Sequence, residues 1–254
     1  MTPLPVHDAE PPFGTVVFDC DSTLASIEGV DELCDLMGVE PASVAVLTTR
    51  AMAGELALEA VYSQRLDLLR PDAAALDAVG QRYIDTHLPH APELCRGLAA
   101  LGKRVFIVSG GLRQPVLRLA EHLGIPAARV FAVEAFLDRQ GAYAGFDELS
   151  PLARSGGKLE VLREIAREDK SGGVVLVGDG VTDLEAAPAV RRFVAFGGVV
   201  RRAPVFDAAT VHAGSRDLAH LLPLLASSEE LERLSTLSDH ALLLSASRSA
   251  PPRT

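Results

Sequence analysis

The sequence contains no tryptophan, and only 5% of its residues are aromatic. Because Ala, Leu and Val are abundant instead, we expect an aliphatic core between helices and a sheet. Cysteine is also scarce. Cys20, Cys34 and Cys95 form no C-x-x-C pair, and their odd number argues against a disulfide framework. We interpret all three as small buried residues.

Long apolar runs are absent as well. No segment reaches about 18 uncharged apolar residues, and the opening MTPLPVHDAEPP lacks the basic and apolar regions of a signal peptide. We therefore expect a cytoplasmic protein with no membrane partner. Basic residues number 24 against 34 acidic ones, giving a formal net charge of −10, which disfavours nucleic acid as a partner. We interpret the pairs Arg191–Arg192 and Arg201–Arg202 as solvated surface.

What the chain does contain is a repeated alternation of strand and helix patterns. Short β-branched runs, typical of strands buried on both faces, are separated by helical patterns that end in glycine, such as Gly102 and Gly124. This alternation predicts an α/β fold: a Rossmann-like core with a doubly wound, mostly parallel sheet. The predicted strands are Thr15–Phe18, Val105–Val108, Val130–Val133, Val174–Val177 and Phe193–Phe196.

One long interval interrupts the alternation. Residues 26–88 show only helical periodicity, which predicts a helical-bundle cap inserted after the first strand. Such an insert would lie over the carboxyl ends of the strands and act as a lid. We therefore divide the chain into a first core segment (1–25), the cap (26–88), a second core segment (89–226) and a C-terminal tail (227–254), with one acidic helix and a frayed SASRSAPPRT end. The predicted cap helices are Val30–Met37, Ser43–Ala53, Leu56–Leu69 and Ala73–Thr86.

The strongest chemical signal is FDCDSTL, in which Asp19 and Asp21 directly follow the first predicted strand. One carboxylate can attack phosphorus, while the other protonates the leaving oxygen and later activates water. We assign Asp19 as the nucleophile and Asp21 as the acid and base. A loop turn or helix cap would also explain these residue types.

A second acidic pair, Asp179 and Asp183 in VGDGVTD, follows another predicted strand. Four converging carboxylates require a cation, since each close pair costs roughly 4 kcal/mol at an effective dielectric constant of about 20. Oxygen ligands favour Mg²⁺ as the cofactor. We assign Asp19, Asp179 and the backbone carbonyl of Asp21 as its ligands, with Asp183 orienting them from behind.

Two further motifs complete a phosphate site. In VSGG, the hydroxyl of Ser109 and the N–H group of Gly110 can approach a phosphate closely. In SGGK, Lys158 can contribute positive charge to the phosphate and to the nucleophile. An ordinary turn and a surface lysine remain the alternatives for each motif taken alone.

Together, the aspartate pair, Ser109, Lys158 and the second acidic pair resemble the four motifs of the haloacid dehalogenase superfamily. The resemblance spans roughly residues 13–222. It implies a magnesium-dependent phosphoric monoester hydrolase that cleaves O-phospho-L-serine through an aspartyl-phosphate, the last step of serine biosynthesis. The similar stretches are FDCDSTLASIEGVDELCDLMGV, TTRAMAGELALEAVYSQRL, VFIVSGGLRQPV, GAYAGFDE, SGGK, VGDGVTDLEAAP and AFGG.

The resemblance also implies the substrate-binding residues. Glu28 matches the family's partner for the substrate ammonium, and Arg65 its partner for the carboxylate, which a guanidinium can bind through two oxygens. Met52 and Gly54 match cap residues that close over the ligand. Three positions depart from the usual pattern of the family: Thr182, Ala53 and Val199. Thr182 is a substrate-binding position at which many members of the family carry Asn.

Three other functions compete with this interpretation. One is a phosphatase or phosphotransferase acting on another small phosphate ester, such as phosphohomoserine. Another is a phospho-accepting signalling domain, which would need neither the helical lid nor Asp21. The third is a binding protein that has lost activity, although every catalytic position is present. We expect the chain to be a monomer or a homodimer.

Overall fold

The structure is a computed structural model that describes residues 9–52 and 58–249, with side chains described for 9–47 and 60–249. Among the described residues, every helix is too short or too polar to serve as a transmembrane span. The side chain of Met52 and all of Gly54 lie outside what is described.

A parallel sheet of six strands, in the order β3-β2-β1-β6-β7-β8, organises the described core. The predicted α/β fold and all five predicted strands are confirmed. The strands are β1 (Thr15–Phe18), β2 (Arg104–Leu112), β3 (Val130–Val133), β6 (Val174–Gly178), β7 (Arg192–Phe196) and β8 (Val211–Ala213), and a separate antiparallel hairpin pairs β4 (Ala135–Leu137) with β5 (Tyr143–Phe146).

The central strand, β1, fixes the geometry of the sheet. All four of its residues are buried, and it pairs in parallel with β2 on one side and β6 on the other. Val16, for example, lies opposite Val105 and Val175. Since both faces of such a strand are covered, the apolar run of residues 16–18 is what the position requires, and the buried hydroxyl of Thr15 is satisfied by Asp169.

Helices follow most of the strands and cover the sheet. Gly102 and Gly124 follow two of them and have φ values of 80° and 74°, the left-handed conformation predicted for these C-terminal stops. The helices of the core are α5 (Ala91–Ala100), α6 (Arg113–His122), α7 (Gly157–Glu168), α8 (Val181–Ala186), α9 (Ala203–Ala208), α10 (Leu222–Leu225), α11 (Ser228–Ser235) and α12 (Ala241–Arg248).

The predicted insert of four helices is confirmed between β1 and α5. Its two ends meet where the backbone N–H of Ser26 donates to the carbonyl of Thr86 at 3.0 Å and that of Leu88 to Leu24 at 2.9 Å. Because these bonds close the insert, we propose 26–88 as the cap and 1–25 with 89–226 as the core. The insert helices are α1 (Gly29–Met37), α2 (Pro41–Met52), α3 (Leu58–Leu69) and α4 (Ala73–Asp85).

The C-terminal segment corrects one expectation. Its acidic helix is confirmed as α11, but the predicted fraying is wrong for residues 245–248, which belong to α12. Leu243 of α12 is 1% exposed, and Gly97 of α5 leaves room for it, since a Cβ there would come within 2.7 Å of the Leu243 side chain. The reason for the error is that the buried side chains of Leu243 and Leu244 hold α12 on the core, whereas the residues that follow them in the sequence are mostly polar.

Asp169 connects three parts of the sheet. Its Oδ1 accepts hydrogen bonds from the Thr15 hydroxyl and the Arg104 guanidinium, both at 2.8 Å, and its Oδ2 accepts from the Gly173 N–H at 2.7 Å. Burial would raise the pKa of Asp169, but the hydrogen bonds, above all from the hydroxyls of Ser171 and Thr15, outweigh it and lower the pKa to about 2.

We expect Asp169→Asn to lower the free energy of unfolding by about 2 kcal/mol at pH 7. The carboxylate's contribution is fully present above its unfolded pKa and is lost as pH falls through its folded pKa, so about half of the difference should remain at pH 3. Urea unfolding of both proteins at pH 7 and pH 3 measures this. The exposed Asp207→Asn is the control, and an Asp169→Asn difference independent of pH would contradict the assignment.

Candidate active site

The loop after β1 brings two aspartates to the carboxyl edge of the sheet. Asp19 still pairs with β6, since its N–H donates to the carbonyl of Val177 at 2.9 Å. The chain then turns: the N–H of Leu24 returns to the carbonyl of Cys20 at 2.9 Å, and Ser22 adopts a positive φ of 50°. This tight turn places the Asp19 and Asp21 side chains beside the ends of β2 and β6.

Asp19 is 9% exposed and lies beside a lysine. Its Oδ1 accepts from the N–H of Cys20 at 2.8 Å and lies 3.1 Å from the Nζ of Lys158. Lys158 stands in the first turn of α7, where Gly157 permits a very close approach: a Cβ there would lie 1.6 Å from the Pro151 carbonyl oxygen. The glycine of SGGK therefore allows the helix to deliver the lysine.

Lys158 is buried between two carboxylates. Its Nζ donates to Oδ1 of Asp183 at 2.7 Å and lies within ion-pair distance of Asp19. Burial would lower the pKa of Lys158, but the charges of Asp183 and then Asp19 outweigh it and raise that pKa above its ordinary value. The site therefore holds a permanent positive charge next to the Asp19 carboxylate.

The second acidic pair follows β6, at the same edge. Asp179 accepts from the Thr23 hydroxyl at 3.1 Å, and Asp183 accepts from the N–H of Gly180 at 3.0 Å. Oxygen atoms of Asp19, Asp179 and Asp183 lie within 4.8 Å of one another. Since one oxygen of Asp183 is held by Lys158 and the other by Gly180, this residue is placed to orient its neighbours.

The acidic cluster suits a hard cation. Burial and then the charge of Asp19 raise the pKa of Asp179, so holding both carboxylates ionised costs free energy that a cation would recover. The donor atoms are carboxylate oxygens, the type that Mg²⁺ prefers. The residues present therefore fit a magnesium ion.

Asp21 lies in a different environment. Its Oδ1 accepts from the Tyr83 hydroxyl at 2.5 Å and from the N–H of Gly29 at 2.9 Å. Burial raises the pKa of Asp21 to about 7, against the opposing effect of the Tyr83 hydrogen bond. A carboxyl group with this pKa can both give and take a proton near neutral pH.

A cavity of about 260 Å³ lies between the insert and the core. Gly110 and Thr182 contribute to its lining from the core, and Arg65 and Tyr62 from the insert. Ser109 lies within β2, three residues before its end at Leu112; it is fully buried, and its Oγ accepts from the N–H of Gly111 at 3.0 Å. The cavity therefore brings Arg65, Gly110 and Thr182 together, three residues that the sequence assigned to the substrate.

Glu28 immediately precedes Gly29, another residue of the cavity wall. Its Oε1 accepts from the Ser22 hydroxyl at 2.7 Å and from the guanidinium of Arg202 at 3.1 Å. The Nε of Arg202 also donates to Asp179 at 2.9 Å. A guanidinium thus bridges the residue predicted to bind the ammonium and a predicted metal ligand.

The arginine pairs therefore require a correction. Arg202 lies in the site, and Arg192 is 3% exposed, with its guanidinium over the ring of Phe13 and bonded to the Leu224 carbonyl at 3.1 Å. Solvated surface was the wrong prediction for Arg192, and for Arg202, whose side chain is 40% exposed, it missed the ion pairs with Glu28 and Asp179. Arg191 and Arg201 are exposed, as predicted. The position of Arg202, shortly after AFGG at the carboxyl end of β7, placed it near the edge of the site but did not indicate its contact with Asp179.

Comparison with known proteins identifies the family. The model of the haloacid dehalogenase-like hydrolases matches residues 16–188, about two thirds of the chain. The chain belongs to the haloacid dehalogenase-like hydrolases. The resemblance predicted from the four motifs is thereby confirmed, and so is the expectation of a hydrolase.

The sequence relatives of this hydrolase include phosphoserine phosphatases. Those of Mus musculus and Homo sapiens are 42% and 40% identical over 196 residues, which cover 76% of this chain and 85% of each relative. A solved substrate-bound phosphoserine phosphatase complex has a TM-score of 0.69 at 26% identity, over 85% of this chain and 100% of its own. A phospho-aspartyl intermediate analogue of phosphoserine phosphatase has a TM-score of 0.64, also at 26% identity, over 84% and 98% of the two chains.

Proposed function

We propose that this hydrolase is a magnesium-dependent phosphatase that converts O-phospho-L-serine to L-serine and phosphate through an aspartyl-phosphate on Asp19. The observation that carries the proposal is the division of labour between two neighbouring carboxyl groups. Asp19 lies 3.1 Å from the Lys158 ammonium, whereas burial raises the pKa of Asp21 to about 7. A nucleophile paired with a buried cation and an acid that can hold a proton at neutral pH are therefore available together.

Asp19, Asp179 and the backbone carbonyl of Asp21 would hold the magnesium ion, and Asp183 would orient Lys158 and Asp19 from behind. When bound, the ion neutralises charge on the phosphate oxygens. The positive charge of the Lys158 ammonium would also stabilise this phosphate.

In the first step, Asp19 attacks phosphorus. Since the Cys20 N–H and Lys158 both approach Oδ1, we assign the attack to the other oxygen, Oδ2. The bond between phosphorus and the serine oxygen breaks, its electron pair stays on that oxygen, and Asp21 supplies the proton. The Ser109 hydroxyl and the Gly110 N–H bind the phosphate oxygens during the transfer.

In the second step, Asp21 acts as the base. It removes a proton from water, whose oxygen bonds to phosphorus as the bond to Asp19 breaks and its electron pair returns to the carboxylate. Asp21 therefore already carries its proton when phosphate leaves, and the enzyme is back in its initial state.

Substrate recognition falls to residues outside the phosphate motifs. Arg65 of α3 and Thr182 of α8 both line the cavity. We assign the serine carboxylate to Arg65 and the ammonium to Glu28, whose contact with Arg202 must then adjust to admit the substrate. The contribution of Met52 to substrate binding stays a prediction, since its side chain lies outside what is described.

We expect Arg65→Ala to lower kcat/KM for O-phospho-L-serine by about 2–4 kcal/mol of transition-state binding, the cost of losing a bidentate contact. The matched substrate is p-nitrophenyl phosphate, which has no carboxylate and should lose little. Phosphate-release assays on both substrates measure the difference. Equal losses would show that Arg65 supports the cap or the phosphate instead.

A panel of phosphorylated amino acids and sugars, assayed with and without Mg²⁺, tests the function as a whole. We expect O-phospho-L-serine to have the highest kcat/KM and activity to disappear with chelator. Phosphohomoserine as the preferred ester would overturn the substrate assignment, and unchanged activity with chelator would overturn the metal. The cytoplasmic location, the role in serine biosynthesis and the monomeric or homodimeric state stay predictions.

A further inference from the structure

Tyr83 links the helical insert to the catalytic loop. It lies in α4, 62 residues along the chain from Asp21, and its side chain is 1% exposed. Its hydroxyl donates to Oδ1 of Asp21 at 2.5 Å. The residue that we assign as acid and base is therefore in direct contact with the insert.

A second donor reaches the same oxygen. The N–H of Gly29, the first residue of α1, donates to Oδ1 of Asp21 at 2.9 Å. Glycine is what lets both donors fit, because a Cβ at position 29 would lie 2.3 Å from the Tyr83 hydroxyl. Two helices of the insert thus converge on one carboxylate oxygen.

The other oxygen faces a different neighbour. A Cβ at Gly111 would lie 3.4 Å from Oδ2 of Asp21, and Gly111 is part of the cavity wall. A proton on Oδ1 would point at two donors and leave one of them without an acceptor, which costs free energy in a buried site. The proton of the acid therefore belongs on Oδ2.

We propose that Tyr83 is a positioning residue, which holds Oδ1 of Asp21 so that Oδ2 carries the proton exchanged with the substrate. The proposal rests on the function proposed above. In the first step, the proton passes from Oδ2 to the serine oxygen, which keeps the electron pair of the broken bond to phosphorus. In the second step, a proton of water passes to Oδ2 while the water oxygen bonds to phosphorus and the bond to Asp19 breaks. Tyr83 keeps its own proton throughout.

Tyr83→Phe tests the proposal, because it removes only the hydroxyl. We expect kcat for O-phospho-L-serine to fall about 10–100-fold, the effect of losing one charge-assisted hydrogen bond, with KM unchanged. Tyr143→Phe, the same substitution in β5 and outside the cavity wall, is the matched control and should retain wild-type kcat.

The leaving group separates positioning from general damage. The alkoxide of serine needs a proton in order to leave, whereas p-nitrophenolate does not. In rapid mixing with p-nitrophenyl phosphate, Tyr83→Phe should release its first equivalent of p-nitrophenolate as fast as wild type and then slow at the water-dependent step. A structural defect would slow the first equivalent as well, and that result would overturn the proposal.

Gly29→Ala, a substitution in α1, tests the same contact between Tyr83 and Asp21. Its methyl group would displace the Tyr83 hydroxyl, so we expect kcat to fall in the wild-type background. In the Tyr83→Phe background the hydroxyl is already absent, so the further loss should be much smaller. Additive losses, or wild-type kcat in both single variants, would overturn the proposal. This cycle also covers the case in which Tyr83→Phe alone is poorly folded.

Wild-type protein in the same assays distinguishes a wrong substrate assignment from a wrong role for Tyr83. If it fails to hydrolyse O-phospho-L-serine, the proposed substrate is wrong, and β-glycerophosphate, another alkyl phosphate, replaces it in the Tyr83 comparison. If wild type is active and Tyr83→Phe equals it in kcat, only the positioning role is overturned.

Discussion

Asp19→Asn is expected to abolish turnover of every phosphate ester while the protein stays folded. An amide has the shape of the carboxylate but is a very poor nucleophile, so the phosphoenzyme cannot form. Stability should change little, because removing the charge of Asp19 relieves its repulsion with buried Asp179 while it weakens the ion pair with Lys158. Phosphate release and a thermal melt, measured on the same preparation, give both results.

The exposed Asp207→Asn serves as the control for the chemistry of the substitution. It should keep wild-type activity and melting temperature. Activity of Asp19→Asn within about tenfold of wild type would remove Asp19 from the mechanism, because removing one half of a catalytic pair costs far more than that.

Asp21→Asn should lower kcat for O-phospho-L-serine by about 10²–10⁴-fold, the usual contribution of general acid and base catalysis. The amide oxygen can still accept from Tyr83 and Gly29, so the loop keeps its shape, but the proton is no longer available. With p-nitrophenyl phosphate, the first equivalent of p-nitrophenolate should appear without a large delay, and turnover should then stall at hydrolysis of the phosphoenzyme.

Steady-state and rapid-mixing assays on the two substrates distinguish these steps. A normal kcat for O-phospho-L-serine would make Asp21 a structural cap of the loop. An equal loss on the first equivalent from both substrates would instead place Asp21 in the phosphate or metal site.

The sequence predicted the elements of the fold that local patterns determine. Thr15–Phe18 forms β1 at the predicted bounds, because a strand buried on both faces favours β-branched and apolar residues. The edge strand β8 and the β4–β5 hairpin were missed, since they are only three or four residues long and partly exposed. Short, half-exposed strands carry too little periodicity to distinguish them from loops.

In the candidate site, too, the contacts that follow from local patterns were predicted and those between distant residues were not. Asp19 and Asp179 follow strands directly and Asp183 lies in the first turn of the helix after β6, so the topology alone predicted that they meet at one edge of the sheet. Arg202 contacts Asp179 and Tyr83 contacts Asp21 through pairings that span 23 and 62 residues of sequence. No spacing rule connects residues so far apart, because the position of α4 on the core and the course of the chain after β7 are set by tertiary packing.

Chemical trapping of the phosphoenzyme is the most direct test of the central claim. Wild-type protein is mixed with radiolabelled O-phospho-L-serine and Mg²⁺, quenched in acid and reduced with tritiated borohydride, which converts an aspartyl-phosphate to homoserine. We predict tritium in a single peptide, as homoserine at position 19, and none in Asp19→Asn. Tritium at another aspartate, or none in wild-type protein during active turnover, would contradict the account.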